Sequence, residues 1–455
     1  MSERRPPRKQ ASRKPDPRKP AGAGAPPRAP RILSAREGAL RLLAGVLGEE
    51  ARVLTDQREA PWMRAMTPED RARALRLAAG VLRFLPNCDA VLSPFLRHPP
   101  DLPIRNVLRL GTFELCTGAA AHGVVNESVR LAERQPRGAH AKGMVNAVLR
   151  RVSEQGPARW PNLSAPALPD WLRLPLAEAW GEARVTAFEA AHAAGAPLDL
   201  TAATADPAAL ADLATRLGAS LLPTGSLRLA EGGQVSALPG FETGEWWVQD
   251  AAAAIAARAL APRSGEAVLD LCAAPGGKTL QLAAAGTQVT AVDVSDRRLN
   301  RLRDNLRRTG LDAQVIAGDA LDQEGQFDAV LLDAPCSATG TIRRHPDLPH
   351  ARDGAEIGDL IALQARMLAH AMTLVKPGGR LVYCTCSLIP DEGECQVEEA
   401  LGAHPGWRAD PRALTDLPGI DATWTTEEGG LRLTPDLWSE IGGMDGFYIA
   451  CLRRD

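Results

Sequence analysis

Three cysteines that follow apolar runs are the side chains best suited to covalent chemistry in this sequence. The segment LVYCTCS holds Cys384 and Cys386 with one residue between them, and LLDAPCS places Cys336 three residues after Asp333. A thiolate is a strong nucleophile, so each cysteine is a candidate for covalent catalysis. A zinc site is disfavoured, since Cys-x-Cys is not the usual ligand spacing and no matching Cys/His pair is present. We interpret Cys384 as packing beside the site.

Both motifs lie at the ends of predicted β-strands. The apolar segments EAVLDLC, QVTAVDV, AQVIAG, FDAVLLDAP and RLVYCTC alternate with amphipathic helical segments. This alternation predicts a parallel, doubly wound sheet, and such a sheet binds its ligands at the carboxyl ends of its strands. The cysteines and Asp333 are therefore expected at one ligand-binding edge. Arg343 and Arg344, in the loop after the fourth strand, are candidate phosphate contacts.

The loop after the first strand, DLCAAPGGKT, lets a ligand approach the backbone. Its glycines leave room, and the helix that follows offers unpaired N–H groups. Cys272 stands where a phosphate-binding P-loop has its first glycine, so a nucleoside triphosphatase is an alternative. Asp293 ends the next strand, where a carboxylate can accept both ribose hydroxyls, and Asp319 follows the third, where it suits an adenine amino group. Two acids at successive strand ends favour an adenosine ligand.

The chain before this sheet divides into further predicted regions. Residues 34–155 repeat apolar side chains at helical spacing after a Ser-x-x-Glu capping box, which predicts a helical bundle. Prolines then break the pattern, and residues 156–240 are predicted to hold a linker and a small α/β domain built on a βαβ-type unit. Residues 241–455 form the domain with the parallel sheet. Trp246 and Trp247, near its start, are interpreted as core or hinge residues.

Residues 1–33 have a different composition from the rest of the chain. They hold ten Lys and Arg residues against Glu3 and Asp16, together with eight prolines. Such a segment buries too little apolar surface to offset the cost of ordering, so we predict that it is disordered. A tether for a polyanion and a solubilising tail both fit this composition. The whole chain has a net charge of -2, so the remainder is acidic.

Composition also excludes several classes of protein. No apolar run approaches the roughly 18 to 20 residues that a membrane span needs. Eight cysteines scattered over 455 residues favour a reducing cytoplasm over a disulfide framework. We therefore expect a cytoplasmic protein with no membrane segment and no bound metal, and a monomer by default.

At this point the motifs resemble those of a known family. CAAPGGKT, LLDAPCSATG and VYCTCS together are similar to the motifs of RNA 5-methylcytosine methyltransferases, the NOL/NOP/Sun family. HGVVNESVRLA and KGMVNAVLRRV resemble the NusB-like domain of its Sun/Fmu branch. The resemblance covers nearly the whole chain after the tail. It implies a multidomain fold with an N-terminal all-α NusB-like RNA-binding domain, a small RRM-like α/β domain, and a C-terminal Rossmann-like class I methyltransferase domain with a mostly parallel sheet.

The resemblance also implies a reaction and roles for individual residues. The methyl donor would be S-adenosyl-L-methionine, and the substrate a cytosine of 16S rRNA, either naked or in a small-subunit assembly intermediate. Cys386 would be the nucleophile that adds to carbon 6, Cys336 would assist release of the adduct, and Asp333 would hydrogen-bond the cytosine. The residues predicted to contact the donor are Cys272, Ala273, Ala274, Pro275, Gly276, Gly277, Lys278, Asp293, Asp319 and Asp333.

Alternative functions remain at this stage. A 5-methylcytosine methyltransferase of the same family could act on tRNA or on another rRNA site. NusB-like domains bind RNA without chemistry, so a non-catalytic RNA-binding ribosome assembly factor is an alternative of another class, beside the nucleoside triphosphatase. Intact Asp333, Cys336 and Cys386 favour an enzyme.

Overall fold

The computed structural model describes residues 32–136, 138–230 and 232–455. The disorder predicted for the basic segment 1–33 falls almost entirely outside these residues. The first part of the described chain is helical. Its α-helices are α1 (Ala35–Leu47), α2 (Leu54–Gln57), α3 (Pro61–Arg64), α4 (Pro68–Arg83), α5 (Leu85–Leu92), α6 (Leu102–Cys116), α7 (Ala121–Glu133) and α8 (Lys142–Arg159).

These helices pack around one apolar core, as the sequence periodicity predicts. The capping box forms at the start of α1, where the Ser34 backbone N–H donates to Glu37 Oε2 at 3.0 Å. Leu43 of α1 and Leu108 of α6 are fully buried in the shared core. Helices α4 and α6 approach closely at Gly80, where an added Cβ would lie 2.3 Å from the Phe113 ring. A side chain at that position would push the two helices apart.

A middle region follows, with two helices and a small sheet. Its elements are α9 (Asp170–Trp180), α10 (Glu182–Ala194), β1 (Leu198–Ala202), α11 (Pro207–Leu217), β2 (Ser220–Leu221), β3 (Leu227–Leu229) and β4 (Trp246–Val248). The strand order is β2-β3-β1-β4, and every neighbouring pair is antiparallel. The small domain is therefore an antiparallel sheet rather than a βαβ-type unit with parallel strands.

The small sheet also extends past the predicted boundary at residue 240. Strand β4 pairs with β1, with Thr201 opposite Trp247. Trp246 is fully buried in the core of the small domain, and Trp247 is buried against the next domain. The core interpretation of both tryptophans is confirmed. The predicted boundary at residue 240 is too early. The segment WWV was assigned to the next domain, but its backbone forms the last strand of the small sheet.

The last part of the chain is a Rossmann-like domain. Its elements are α12 (Ala251–Ala259), β5 (Ala267–Leu271), α13 (Gly277–Ala284), β6 (Gln288–Asp293), α14 (Asp296–Thr309), β7 (Gln314–Ala317), β8 (Phe327–Asp333), α15 (Leu348–Ala351), α16 (Ile357–Thr373), β9 (Val375–Thr385), α17 (Glu394–Ala403), β10 (Trp407–Ala409), α18 (Arg412–Thr415), β11 (Leu431–Leu433) and β12 (Phe447–Arg454). The strand order is β10-β12-β9-β8-β5-β6-β7, and β11 pairs with β12.

The sheet is mostly parallel, as predicted. Strands β5 to β9 run parallel, and only the pairings of β12 with β9, β10 and β11 are antiparallel. Alternate residues of β8 enter two separate cores, with Leu331 on one face and Val330 on the other. Both faces of β8 are therefore covered, which explains why its sequence is a largely apolar run. The carboxyl ends of β5, β6, β7, β8 and β9 meet at one edge.

The three regions contact one another around the loops that follow β8 and β9. Arg83 of α4 donates to the Arg343 carbonyl at 2.9 Å, and Leu54 N–H donates to Asp347 Oδ2 at 2.6 Å. Trp180 of α9 donates its indole N–H to the Leu388 carbonyl at 2.9 Å. The helical domain and the middle region therefore rest on the loops that carry the motif cysteines. Across the described ranges, no helix is long and apolar enough to cross a membrane.

Candidate active site

Six of the predicted site residues surround one cavity at the carboxyl edge of the sheet. The cavity has a volume of about 580 Å³. The predicted residues that line it are Cys272, Asp293, Asp319, Asp333, Cys336 and Cys386. They come from the ends of β5, β6, β7, β8 and β9, so the fold brings together the acids predicted for an adenosine ligand and the cysteines predicted for covalent chemistry.

The two motif cysteines face each other. Cys336 Sγ and Cys386 Sγ lie 3.5 Å apart, and both thiols are free. The two loops are joined by a hydrogen bond from Gly340 N–H to the Cys386 carbonyl at 2.9 Å. The contact with Cys386, together with burial, raises the pKa of the Cys336 thiol well above its usual value. Cys336 is therefore held as a protonated thiol that can donate to the Cys386 sulfur.

A buried ion pair lies beside the cysteines. Lys278 Nζ is 2.8 Å from Asp333 Oδ2, and Lys278 is only 8% exposed. Burial opposes the charge of Lys278, but Asp333 and the sulfurs of Cys384 and Cys386 raise its pKa above the usual range. The ammonium also lies 5.2 Å from the centre of the Phe447 ring. A P-loop lysine must reach nucleotide phosphates, whereas this one is paired with a carboxylate, which disfavours the triphosphatase alternative.

Cys384 lies behind this ion pair. It is fully buried, and its Sγ is 3.4 Å from Asp333 Oδ1. Burial raises the pKa of its thiol well above the usual value. A buried thiol of this kind is inert, in agreement with its interpretation as packing beside the site. Among the residues that the structure describes, no group of three or more His, Cys, Asp or Glu side chains could hold a metal ion.

The loop between β5 and α13 has the backbone shape expected of a ligand-binding turn. Cys272 and Gly276 have φ angles of 62° and 110°. At Gly276 an added Cβ would lie 2.4 Å from Leu302 Cδ1, so only glycine fits there. The predicted donor contacts that shape this loop without lining the cavity are Ala273, Ala274, Pro275, Gly276, Gly277 and Lys278.

The cavity fits an adenosine-containing donor. Asp293 ends β6, where its Oδ2 accepts the Ala274 N–H at 3.1 Å and its Oδ1 accepts the Ser295 N–H at 2.9 Å. Asp319 lines the wall beyond β7. Val294, between these acids, is 78% exposed and offers an apolar surface to the cavity. Carboxylates with free lone pairs beside an exposed valine suit a ribose and a purine ring.

Asp270 lies beneath this cavity and does not line it. It is fully buried, and its Oδ2 accepts the Thr279 hydroxyl at 2.6 Å. Its Oδ1 has no hydrogen-bond partner among the described residues. Burial, opposed by the Thr279 hydrogen bond, raises the pKa of Asp270 to about 7. The carboxyl group is therefore protonated in the folded protein over a pH range in which it would be ionised in the unfolded chain.

We expect Asp270→Asn to change how stability depends on pH. The raised pKa means that wild-type stability falls as pH rises from about 4 to about 7, by at most ~1.4 kcal/mol per pH unit from this group. Asparagine is neutral and keeps an acceptor for Thr279. The stability of the variant relative to the wild type should therefore increase up to about pH 7 and stay constant at higher pH. Unfolding midpoints at pH 5, 6, 7 and 8 test this, and parallel curves would contradict it.

Glu392 organises both cysteine loops, although no sequence motif points to it. It is fully buried in the 3-10 turn after β9. Its carboxylate accepts the Ser337 N–H at 2.9 Å, the Ser337 and Ser387 hydroxyls at 2.5 Å each, and the Gln364 amide at 3.0 Å. Ser337 follows Cys336 and Ser387 follows Cys386, so one carboxylate fixes both loops. Nothing in the segment PDEGE distinguishes this glutamate from its acidic neighbours.

Replacing Glu392 with alanine should therefore slow catalysis without weakening donor binding. We expect kcat to fall about 100-fold, because a misplacement of about 1 Å of the reacting sulfurs has an effect of that size. The pH profile of thiol alkylation should shift as well, which simple destabilisation would not produce. Glu398→Ala, on the exposed face of α17, is the matched control. Wild-type kcat in Glu392→Ala would rule out the positioning role.

Arg343 and Arg344 are not available as phosphate contacts. Arg343 is 1% exposed, and its Nε lies 2.8 Å from Asp445 Oδ1. Arg344 also pairs with Asp445, at 3.1 Å, and with Asp250, and it donates to the Pro197 carbonyl at 3.1 Å. The prediction of RNA contacts is wrong for these side chains, because both guanidinium groups neutralise buried carboxylates between the small sheet and the catalytic domain.

Comparison with known proteins matches the first and the last part of the chain to two families. The profile of the family described as 16S rRNA methyltransferase RsmB/F matches residues 257–453, and that of the NusB family matches residues 33–154. Over 93% of this chain and 100% of the other, the fold is similar to that in "Crystal Structure of PH0851", with a TM-score of 0.70 and 22% identity. The predicted fold class is confirmed.

Relatives of similar length extend the match to nearly the whole chain. Ribosomal RNA small subunit methyltransferase B of Sodalis glossinidius is 36% identical over 92% of this chain and 97% of its own. The protein of the same name from Pseudomonas putida is 35% identical over 93% of this chain and 99% of its own. The chain therefore belongs to the ribosomal RNA small subunit methyltransferase B family of S-adenosylmethionine-dependent methyltransferases.

Proposed function

We propose that this enzyme methylates carbon 5 of a cytosine in 16S rRNA through a covalent bond between Cys386 and carbon 6 of the base. The observation that carries the proposal is the pair of sulfurs, 3.5 Å apart, in the wall of the cavity that also holds Asp293 and Asp319. The family profile and the names of the relatives support 16S rRNA as the substrate. We place the reaction in the cytoplasm, where ribosomal subunits assemble.

The first step makes carbon 5 nucleophilic. The Cys386 thiolate adds to carbon 6, so a sulfur–carbon bond forms and the electrons of the carbon 5–carbon 6 double bond move into the ring. Asp333, which lines the cavity, accepts from the exocyclic amino group at the edge of the base. The Lys278 ammonium, 2.8 Å from Asp333, offsets the negative charge that develops on the ring.

Methyl transfer follows in the same cavity. S-adenosyl-L-methionine supplies an electrophilic methyl group on a sulfonium, and Asp293, Asp319 and the loop at Cys272 are the groups that would hold it. Carbon 5 of the adduct would take this methyl group, and the electrons of the methyl carbon–sulfur bond would stay with the thioether product. A cytosine in structured RNA must leave its stack to enter this cavity.

Release of the product requires a base next to the adduct, and Cys336 is placed to provide it. In the resting site, contact with Cys386 is the largest cause that raises the pKa of the Cys336 thiol. Once the Cys386 sulfur is bonded to carbon 6, it no longer carries a charge, so Cys336 ionises more readily. Cys336 releases its own proton to solvent, its thiolate then takes the proton from carbon 5, the ring double bond re-forms, and Cys386 leaves as a thiolate.

The test is a transfer assay with labelled S-adenosyl-L-methionine and three RNAs: naked 16S rRNA, a small-subunit assembly intermediate lacking the modification, and tRNA. We expect label at one cytosine of 16S rRNA, mapped as 5-methylcytosine. Label on tRNA alone would show that the substrate is tRNA and not 16S rRNA. Failure to label any of them, with RNA still bound, would sink the proposal in favour of a binding factor.

A further inference from the structure

A second cavity separates the small sheet from the catalytic domain. It has a volume of about 410 Å³ and lies between the end of β1, the turn before β3, and helices α12 and α13. Thr201, Thr224 and Arg258 are among the residues that line it. None of its lining residues lines the catalytic cavity, so the two sites are separate.

Three polar groups in this cavity have no partner. Thr201 is 4% exposed and Thr224 is 7% exposed, and neither buried hydroxyl makes a hydrogen bond. Nη1 of Arg258 is buried in the same way. Across the described chain, Arg258 makes no hydrogen bond or ion pair with any carboxylate. Buried hydroxyls and guanidinium groups without partners cost free energy, and the described protein groups supply none here.

The side chains that line the cavity indicate the charge of the missing ligand. The guanidinium can only donate hydrogen bonds, and it carries a positive charge; burial lowers its pKa to about 10, which leaves it charged at neutral pH. No Asp or Glu side chain lines the cavity. The Gln281 amide on α13 is already used, since its Oε1 accepts from Gln249 and its Nε2 donates to the Ala254 carbonyl. An oxyanion is the partner that satisfies all three groups.

The guanidinium is also held in position over the turn that carries one of the hydroxyls. A Cβ built at Gly225 would lie 3.7 Å from Arg258 Nη2, so the arginine packs directly on the residue after Thr224. Thr201 lies on β1, which pairs with β4 and thereby with the start of the catalytic domain. One donor thus comes from each of β1, the turn and α12.

We propose that this cavity binds a phosphate group, with Arg258 as the charged donor and the Thr201 and Thr224 hydroxyls as the other ligands. A planar guanidinium matches the geometry of phosphate oxygens and binds them in a bidentate manner. The phosphate comes either from the backbone of bound RNA or from a free phosphorylated molecule. In both cases it would link the small domain to the catalytic domain at a point remote from the cysteines.

Calorimetric titration of the full chain with inorganic phosphate, at constant ionic strength, tests the site without using the methyl-transfer reaction. We expect saturable binding of one phosphate, weakened about tenfold or more in Arg258→Gln and about fivefold in Thr201→Val and Thr224→Val. Arg412→Gln, an exposed arginine on α18, should bind as the wild type does. Thermal unfolding checks that each variant folds, and Arg258→Lys provides a variant that keeps the charge.

The outcomes separate the proposal from its alternatives. No saturable phosphate binding by the wild type would show that water alone fills the cavity, and equal affinity in Arg258→Gln would show that phosphate binds elsewhere; either result overturns the proposal. If phosphate binding is lost in Arg258→Gln, filter binding of 16S rRNA over a salt series identifies the source. Weaker RNA binding with a salt slope reduced by about one assigns the site to an RNA phosphate. Unchanged RNA binding assigns it to a free phosphorylated molecule.

Discussion

Cys386→Ala is expected to abolish methyl transfer, with kcat reduced at least about 10,000-fold, because alanine cannot add to carbon 6. The proposed donor-binding acids, Asp293 and Asp319, lie at the ends of other strands, so binding of S-adenosyl-L-methionine should be unchanged. Labelled transfer to 16S rRNA measures the first quantity, and equilibrium dialysis of the donor measures the second. Cys395→Ala, a cysteine on α17 that does not line the cavity, should keep wild-type activity.

The companion variant Cys336→Ala separates the roles of the two cysteines. Addition and methyl transfer need only Cys386, so this variant should methylate once and then remain attached to the RNA. A protein–RNA band on a denaturing gel, dependent on the donor, is the expected result. Methylation without an adduct by Cys386→Ala, with an inert Cys336→Ala, would instead reverse the two roles.

The parts of the fold that follow from local pattern were predictable from the sequence. Strands β5 and β8 are buried on both faces, so each appears as a largely apolar run in the sequence. Because parallel strands end at the same edge, placing Asp293, Asp333 and Cys386 at the ends of three of these strands was enough to predict that they meet at one cavity. This prediction required no knowledge of distances between the residues.

Features that depend on distant partners were not predictable in this way. Arg343 and Arg344 look like free cations in a loop, but the carboxylates that neutralise them, Asp250 and Asp445, are far away in sequence. Glu392 looks like one acid among several in an exposed turn, yet the hydroxyls next to both cysteines enclose it. The pairing of β4 with β1 likewise needs the folded chain.

One charged side chain, Lys278, connects the donor loop to the cysteine loops. Lys278 is the second residue of α13, just after the turn that shapes the donor cavity, and its ammonium lies near Asp333, Cys384 and Cys386. The residue that ends the donor loop is therefore also the positive charge next to the reacting sulfurs. A change in the turn would move this charge, so the two halves of the site cannot vary independently.

Removing Asp333 should therefore damage both stability and catalysis. Asp333→Ala leaves the Lys278 ammonium buried without its carboxylate. A fully buried pair broken in this way costs about 3–5 kcal/mol, and since the Asp333 side chain is 32% exposed we expect about 2 kcal/mol. Activity should fall about 1,000-fold, because the base loses its acceptor and the lysine its position. Urea unfolding and labelled transfer measure the two effects.

A second substitution separates these effects. Lys278→Met removes the stranded charge, so the double variant Asp333→Ala/Lys278→Met should recover most of the lost stability and none of the activity. Asp333→Asn, which retains one oxygen toward Lys278, should be more stable than Asp333→Ala and still slow. If the double variant is no more stable than Asp333→Ala, the ion pair is not the source of the loss; if Asp333→Ala transfers methyl groups at the wild-type rate, Asp333 does not contact the base.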